Sequence, residues 1–129
     1  MAAFLTDDWF AAVREVADAW PVHDGVSAAM QFVIASSPSG KLQFVVRVAD
    51  GRLTDISMGK SDQIDCTLQC SYAHAVAIAR GEVDREVAYM RGDLKIDGDY
   101  AAYILRLQPL FESERFVASC QSLRNRTEF

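Results

Sequence analysis

Apolar residues along this chain change their period several times, and each change marks an element. Trp9, Phe10, Val13, Val16, Ala17 and Trp20 recur at three- and four-residue steps, the spacing of one helical face. Thr6 precedes them as an N-cap, Asp7 and Asp8 suit the positive end of the helix dipole, and Pro21 stops the run. At Val26 the period falls to two. Val26, Ala28, Met30, Phe32 and Ile34 then occupy alternate positions, as a strand with one buried face requires. A turn over 36–40 leads to a second strand, Leu42, Phe44, Val46 and Val48, which stops at Asp50-Gly51, a favoured two-residue hairpin turn. A third strand follows over 53–58. In a fourth, Ile64, Cys66, Leu68 and Cys70 alternate with Gln63, Asp65, Thr67 and Gln69. Four consecutive strands joined by short turns predict antiparallel neighbours.

Helical spacing then returns. Ser71 caps a helix over 71–80 that Gly81 ends, and a shorter helix fits 84–90, ending at Gly92. Leu94-Lys95-Ile96-Asp97-Gly98 is long enough only for a fifth strand. Tyr100, Tyr103, Ile104, Leu107 and Phe111 share one face of a following helix, and Ala101, Ala102 and Leu105 make a second face apolar, which predicts a helix with little exposed surface. A last amphipathic run carries Phe116, Val117, Cys120 and Leu123 and ends among Arg124 and Arg126. Its stripe would equally cap a cavity, dock on the other helices or pair two chains as a homodimer. The whole predicts an α+β fold in one domain, 1–129: a five-stranded, mainly antiparallel sheet with helices packed on one face.

Composition narrows the partners. Half of the 129 residues are hydrophobic, which is globular rather than disordered. Thirteen basic against eighteen acidic residues leave a net charge of −5, with no dense Lys/Arg stripe. Nucleic acid is therefore excluded as a partner, and contact with an anionic bilayer is at most transient and apolar. Three scattered cysteines are no disulfide framework and fit a reducing compartment. The first eight residues lack a basic, then apolar, leader pattern, no stretch reaches the length of a membrane span, and the C-terminal residues lack a peroxisomal address. The expected location is the cytoplasm.

Candidate chemistry is sparse. His23 and His74 stand at no metal-ligand spacing. Cys66 and Cys70 share a strand face but lie about 13 Å apart by strand rise, too far to chelate one ion. Asp93, Asp97 and Asp99 lack the rest of a calcium loop. Asp7/Asp8 and Glu112/Glu114 read as helix-start charges and solvated faces. No nucleophile elbow, phosphate loop or dinucleotide fingerprint occurs. The expectation is a protein without catalytic residues, metal or cofactor. If the chain were an enzyme, Tyr89, Tyr103 and His74 would be its acid/base groups, and their spacing does not recommend them.

One stretch has a recognisable order. Asp65-Cys66-Thr67-Leu68 precedes the 71–80 helix with Gly81, and Tyr89, Met90, Gly92, Leu94, Lys95, Ile96, Gly98 and Asp99 then form an apolar pair before glycine and a short hydrophobic-Lys-hydrophobic strand ending in glycine. With the N-terminal helix and the Asp50-Gly51 hairpin, this resembles the sterol carrier protein type 2 family over roughly Phe4 to Phe111. The resemblance implies an apolar tunnel between sheet and helices that holds fatty acyl, sterol-like or isoprenoid molecules without catalysis. Candidate lining residues are Leu68, Val76, Met90, Ile96, Tyr103, Ile104, Leu107 and Phe116, with Met58 and Met90 as adaptable walls. Each is also an ordinary core position taken singly. Alternatives are an accessory protein that presents a lipid-like intermediate to pathway enzymes, and an interaction module whose core is filled.

Overall fold

Helix α1 spans Asp7–Ala17 and begins where the sequence predicts, with the Thr6 side chain accepting from the Trp9 backbone N–H. These positions belong to a computed structural model that describes residues 2–20, 26–38 and 40–129, without the side chains at 102 and 106. Pro21, His23 and Ser39 lie outside the described residues, and with them the expected stop of α1 and the turn histidine.

Strand β1 is the short Ala2–Ala3. The main sheet contains β2 (Ala28–Ser37), β3 (Gly40–Ala49), β4 (Arg52–Met58), β5 (Cys66–Ser71) and β6 (Leu94–Gly98), in the order β4-β3-β2-β5-β6. Asp50 and Gly51 both have positive φ, 51° and 82°, which is the two-residue hairpin the Asp-Gly pair predicts between β3 and β4. The meander then breaks. β5 does not pair with β4; it lies on the far side of β2 and runs parallel to it, Met30 opposite Cys66 and Phe32 opposite Leu68. The sheet is thus mixed: in place of the expected four-strand meander stand three antiparallel strands and a crossover.

Segment 59–65 makes that crossover over one face of the sheet. The Gly59 N–H donates to the Gln43 carbonyl on β3, and the Asp65 N–H donates to the Ala29 carbonyl on β2. Between them Gln31, only 3% exposed, braces the passage. Its amide nitrogen donates to the Phe44 and Gly59 carbonyls, both at 3.1 Å, and its oxygen accepts from the Ser61 N–H at 3.1 Å. A two-residue-period reading identifies Gln31 as solvent-facing; the crossover is what buries it and supplies its partners.

The helices occupy the other face. These are α2 (Tyr72–Ala79), α3 (Arg85–Arg91), α4 (Tyr100–Ala102), α5 (Gln108–Glu112) and α6 (Glu114–Asn125), followed by β7 (Thr127–Glu128), which pairs in parallel with β1. Ser71 caps α2 and Gly92, at φ 80°, ends α3, as the sequence predicts. The expected long helix from Tyr100 is interrupted. Tyr103–Leu107 widens into a π-helical turn between α4 and α5. Pro109 has no N–H to close an α-helical bond onto the Leu105 carbonyl, so the ladder changes pitch just before it. Tyr103, Leu107 and Leu110 are buried as a result, while Ile104 is 38% and Leu105 74% exposed, so this helix presents more apolar surface than predicted.

Two apolar clusters fill the space between helices and sheet. One joins Trp20, Met30, Cys66, Leu68, Ala88, Leu94, Tyr103, Leu107, Leu110 and Phe116. The other joins Phe4, Phe10, Ile34, Phe44, Ile56 and Ala75.

Candidate functional site

The first cluster is bounded by a row of aromatic rings that runs from the surface to the interior. Tyr89 on α3 stacks on Tyr100 at 5.6 Å between ring centres. Tyr100 then neighbours Tyr103 at 6.3 Å, Tyr103 neighbours Phe111 at 6.1 Å, and Phe111 and Trp20 each lie 5.0 Å from Phe116. Tyr89 and Tyr100 are exposed at one end, and Tyr103, Phe116 and Trp20 are buried at the other. The π-helical turn is what carries Tyr103 inward beneath Tyr100. The floor under the row is the helix-facing side of the sheet, with Met30, Cys66 and Leu68 buried and Ile96 beside them.

Of the nine predicted lining residues, Leu68, Ile96, Tyr103, Leu107 and Phe116 meet in this cluster. Val76 packs instead in the second cluster, beside Phe10 and Ala75. Met58, Met90 and Ile104 are exposed, Met90 to 84%. Met58 sits at the end of edge strand β4 opposite Phe44, and Met90 and Ile104 lie on α3 and the π-helical turn. Sequence reasoning missed Trp20, Phe111 and Arg85 as members of the site. The helical periodicity that singled out Trp20 and Phe111 was a usable signal for burial; nothing in the sequence pointed to Arg85.

Arg85 contributes the site's charge. Its guanidinium lies 4.4 Å from the centre of the Phe111 ring. Burial pushes the Tyr103 hydroxyl up from its ordinary pKa, and Arg85 partly offsets this. The Cys66 thiol is pushed up to about 11, first by burial and then by the Asp65 and Asp99 carboxylates. Burial also raises Cys70 and Cys120, the latter eased by Arg85 and Arg124. Thiols so shifted are protonated at neutral pH and poor nucleophiles.

A second polar string was not anticipated. Ser71 Oγ lies 3.0 Å from His74 Nδ1, and His74 Nε2 lies 3.7 Å from the Asp93 carboxylate. The residue types are those of a hydrolytic triad. The arrangement is better explained by the fold, because the same Oγ accepts the His74 backbone N–H as the cap of α2, and the His74–Asp93 contact ties α2 to the turn before β6. No group of three His, Cys, Asp or Glu residues among those described could hold a metal ion.

Two clefts flank α1, away from the aromatic row. One, of about 270 Å³, is lined by Ala2, Asp8, Ala12, Asn125 and Arg126. The other, of about 250 Å³, lies among Arg14, Ala17, Asp18 and 52–56. Neither contains a predicted lining residue. No helix among the described residues is long and apolar enough to cross a membrane.

Comparison with known proteins gives this geometry a context. The model of the SCP-2 sterol transfer family matches residues 18–112. A crystal structure of sterol carrier protein 2 superposes with a TM-score of 0.66 at 16% identity, covering 94% of this chain and 97% of that one. The solution structure of a palmitated sterol carrier protein 2-like protein from Aedes aegypti gives 0.64 at 17% identity, covering 84% and 95%. A double mutant of a sec-alkyl sulfatase gives 0.62 at 21% identity; the match covers 86% of this chain but only 17% of the enzyme. These identities show a shared fold. No curated protein matches the chain in sequence.

Proposed function

The chain belongs to the SCP-2 sterol transfer family, and on that premise we propose that it binds and carries a small lipid-like molecule without catalysing a reaction on it. The observation that carries this reading is the continuous aromatic row from exposed Tyr89 and Tyr100 through half-buried Phe111 to buried Tyr103 and Phe116. Such a row offers an apolar chain a path out of water, and burial of that chain stabilises the complex by about 25 cal/mol per Å² of apolar area. Leu68, Ile96 and Leu107 form the adjoining wall, and Met90 and Ile104 stand at the outer end, where an entering ligand would first make contact.

The π-helical turn supports the same reading. Such turns are rare within helices and frequent at functional sites, and this one forms part of the wall beside the row. The protein would work in the cytoplasm as one domain, with no cofactor and no nucleic-acid partner.

A second reading is favoured by exposed Met90 and Leu105, apolar side chains that nothing covers among the described residues. On it, the protein presents its lipid-like cargo to a partner enzyme, and the sulfatase that includes this fold within one chain is a covalent parallel. Native mass spectrometry of the purified protein, followed by organic extraction, tests the first reading. Co-purification of a stoichiometric apolar molecule is the expected result. An empty protein that also fails to take up a fluorescent fatty acid would refute it and leave the interaction reading.

A further inference from the structure

The main sheet closes one of its edges and leaves the other open, and we infer that two copies of this chain pair through the open one, β6 against β6, about a twofold axis at Ile96. At β4 the bond from the Gly59 N–H to the Gln43 carbonyl sets the alternation, so that Ile56 turns its backbone groups away from β3. Arg14 of α1 closes that edge by donating to the Ile56 carbonyl at 2.9 Å. At β6 the bond from the Asp99 N–H to the Asp65 carbonyl sets the alternation in the same way: the backbone groups of Lys95 and Asp97 face β5, and those of Leu94 and Ile96 point outward. β6 is the last strand of the sheet, and no hydrogen bond from another described residue reaches those outward groups.

The side chains of this edge are complementary to themselves under such an axis. Antiparallel pairing centred on Ile96 lets the two Ile96 residues exchange a pair of backbone hydrogen bonds, and it sets Leu94 against Gly98 of the second copy, where no side chain stands in the way. It also sets Lys95 against Asp97 of the second copy, and Asp97 against its Lys95. Both side chains are exposed on the sheet face away from the helices, and neither forms an ion pair among the described residues. Opposite charges directly across a strand pair stabilise it, and like charges there destabilise it. An axis at Lys95 or at Asp97 would oppose like charges, so the pattern specifies one register. On the helical side α3 packs against β6, and its Val87 and Met90, 43% and 84% exposed on one face, gain cover as the two α3 helices approach. The inference does not depend on the carrier reading.

Sedimentation equilibrium of the intact chain tests this at about 0.15 M salt, where screening over roughly 8 Å damps the mutual repulsion of two chains of net charge −5 more than it weakens a directly opposed pair. The wild type should approach twice its 14.3 kDa mass as its concentration is raised. Lys95→Asp and Asp97→Lys each bring like charges face to face and should weaken the dimer roughly tenfold or more. The double exchange, Lys95→Asp with Asp97→Lys, keeps the net charge and restores opposite pairs, so it should dimerise as the wild type does. Circular dichroism confirms that all three variants, changed only at exposed positions, are folded. A wild type that stays monomeric at about 1 mM, single exchanges that dimerise as well as the wild type, or a double exchange that stays monomeric would each overturn the pairing; the first would leave the β6 edge to a strand of another protein.

Discussion

Two glycines at strand and helix ends show how differently one residue type is constrained. Gly92 has φ 80° and ends α3, but a Cβ there would meet nothing within 4 Å. Gly98 has φ 90°, and a Cβ there would lie 2.8 Å from the Asp65 carbonyl oxygen and 3.2 Å from Cys66 Cα. Backbone atoms on a paired strand cannot step aside as the end of a long side chain can. Gly92→Ala should therefore cost about 1 kcal/mol from its backbone conformation alone, and Gly98→Ala distinctly more. Chemical denaturation of both variants decides it: if Gly98→Ala is no less stable than Gly92→Ala, the close approach is not what holds glycine at 98. In the sequence both glycines mark the end of an element, Gly92 of a helix and Gly98 of a strand. The sequence could not rank them, because the clash at 98 depends on β5 lying beside β6, a pairing between segments some thirty residues apart.

Elements with a local cause were legible, and those with a distant cause were not. The caps at Thr6 and Ser71, the Asp50-Gly51 hairpin and the short strand β6 all follow from neighbouring residues. The position of β5 does not, since alternation in Cys66, Leu68 and Cys70 is the same whether the strand pairs with β4 or crosses to β2. Gln31 is the side chain that the crossover creates a need for. Gln31→Leu keeps the volume but leaves the Ser61 N–H and two carbonyls without their partner, at a cost of about 1–3 kcal/mol. Hydrogen exchange at the Ser61 amide should accelerate while amides in β6 keep their protection. An unchanged Ser61 rate would show that the crossover is held by its ends alone. Pro109 is the comparable local signal for the π-helical turn, and it is weaker because proline fixes where an α-helical bond is lost without dictating how the chain accommodates the loss.

At the scale of the molecule, the family match ends at residue 112, and yet the segment beyond it is integral to the fold. Helix α6 places Phe116 in the first cluster, and its Ser119 accepts the Trp20 indole N–H at 2.9 Å. Of the three roles open to this helix on sequence, docking on the helical layer is the one the structure displays, since α6 contacts α1. Candidate lining residues were legible only in part for a related reason: helical periodicity names a face, but a change of pitch at the π-helical turn redirects Ile104 outward and Tyr103 inward. The chain ends then clasp each other through the second cluster. β7 pairs with β1, the Trp9 indole donates to Thr127 at 3.1 Å, Phe129 packs 5.3 Å from Phe4, and Arg126 pairs with Glu15. Deleting 126–129 removes all four contacts and should lower stability by roughly 2–4 kcal/mol, the scale of a large truncated aromatic together with its hydrogen bonds. None of these residues belongs to the aromatic row, so lipid affinity, measured where the shortened chain is still folded, should be unchanged. A loss of affinity in step with stability would mean that the two clusters act as one and that the ligand's seat extends beneath α1; stability lost with affinity kept would separate the clasp that closes the fold from the wall that holds the lipid.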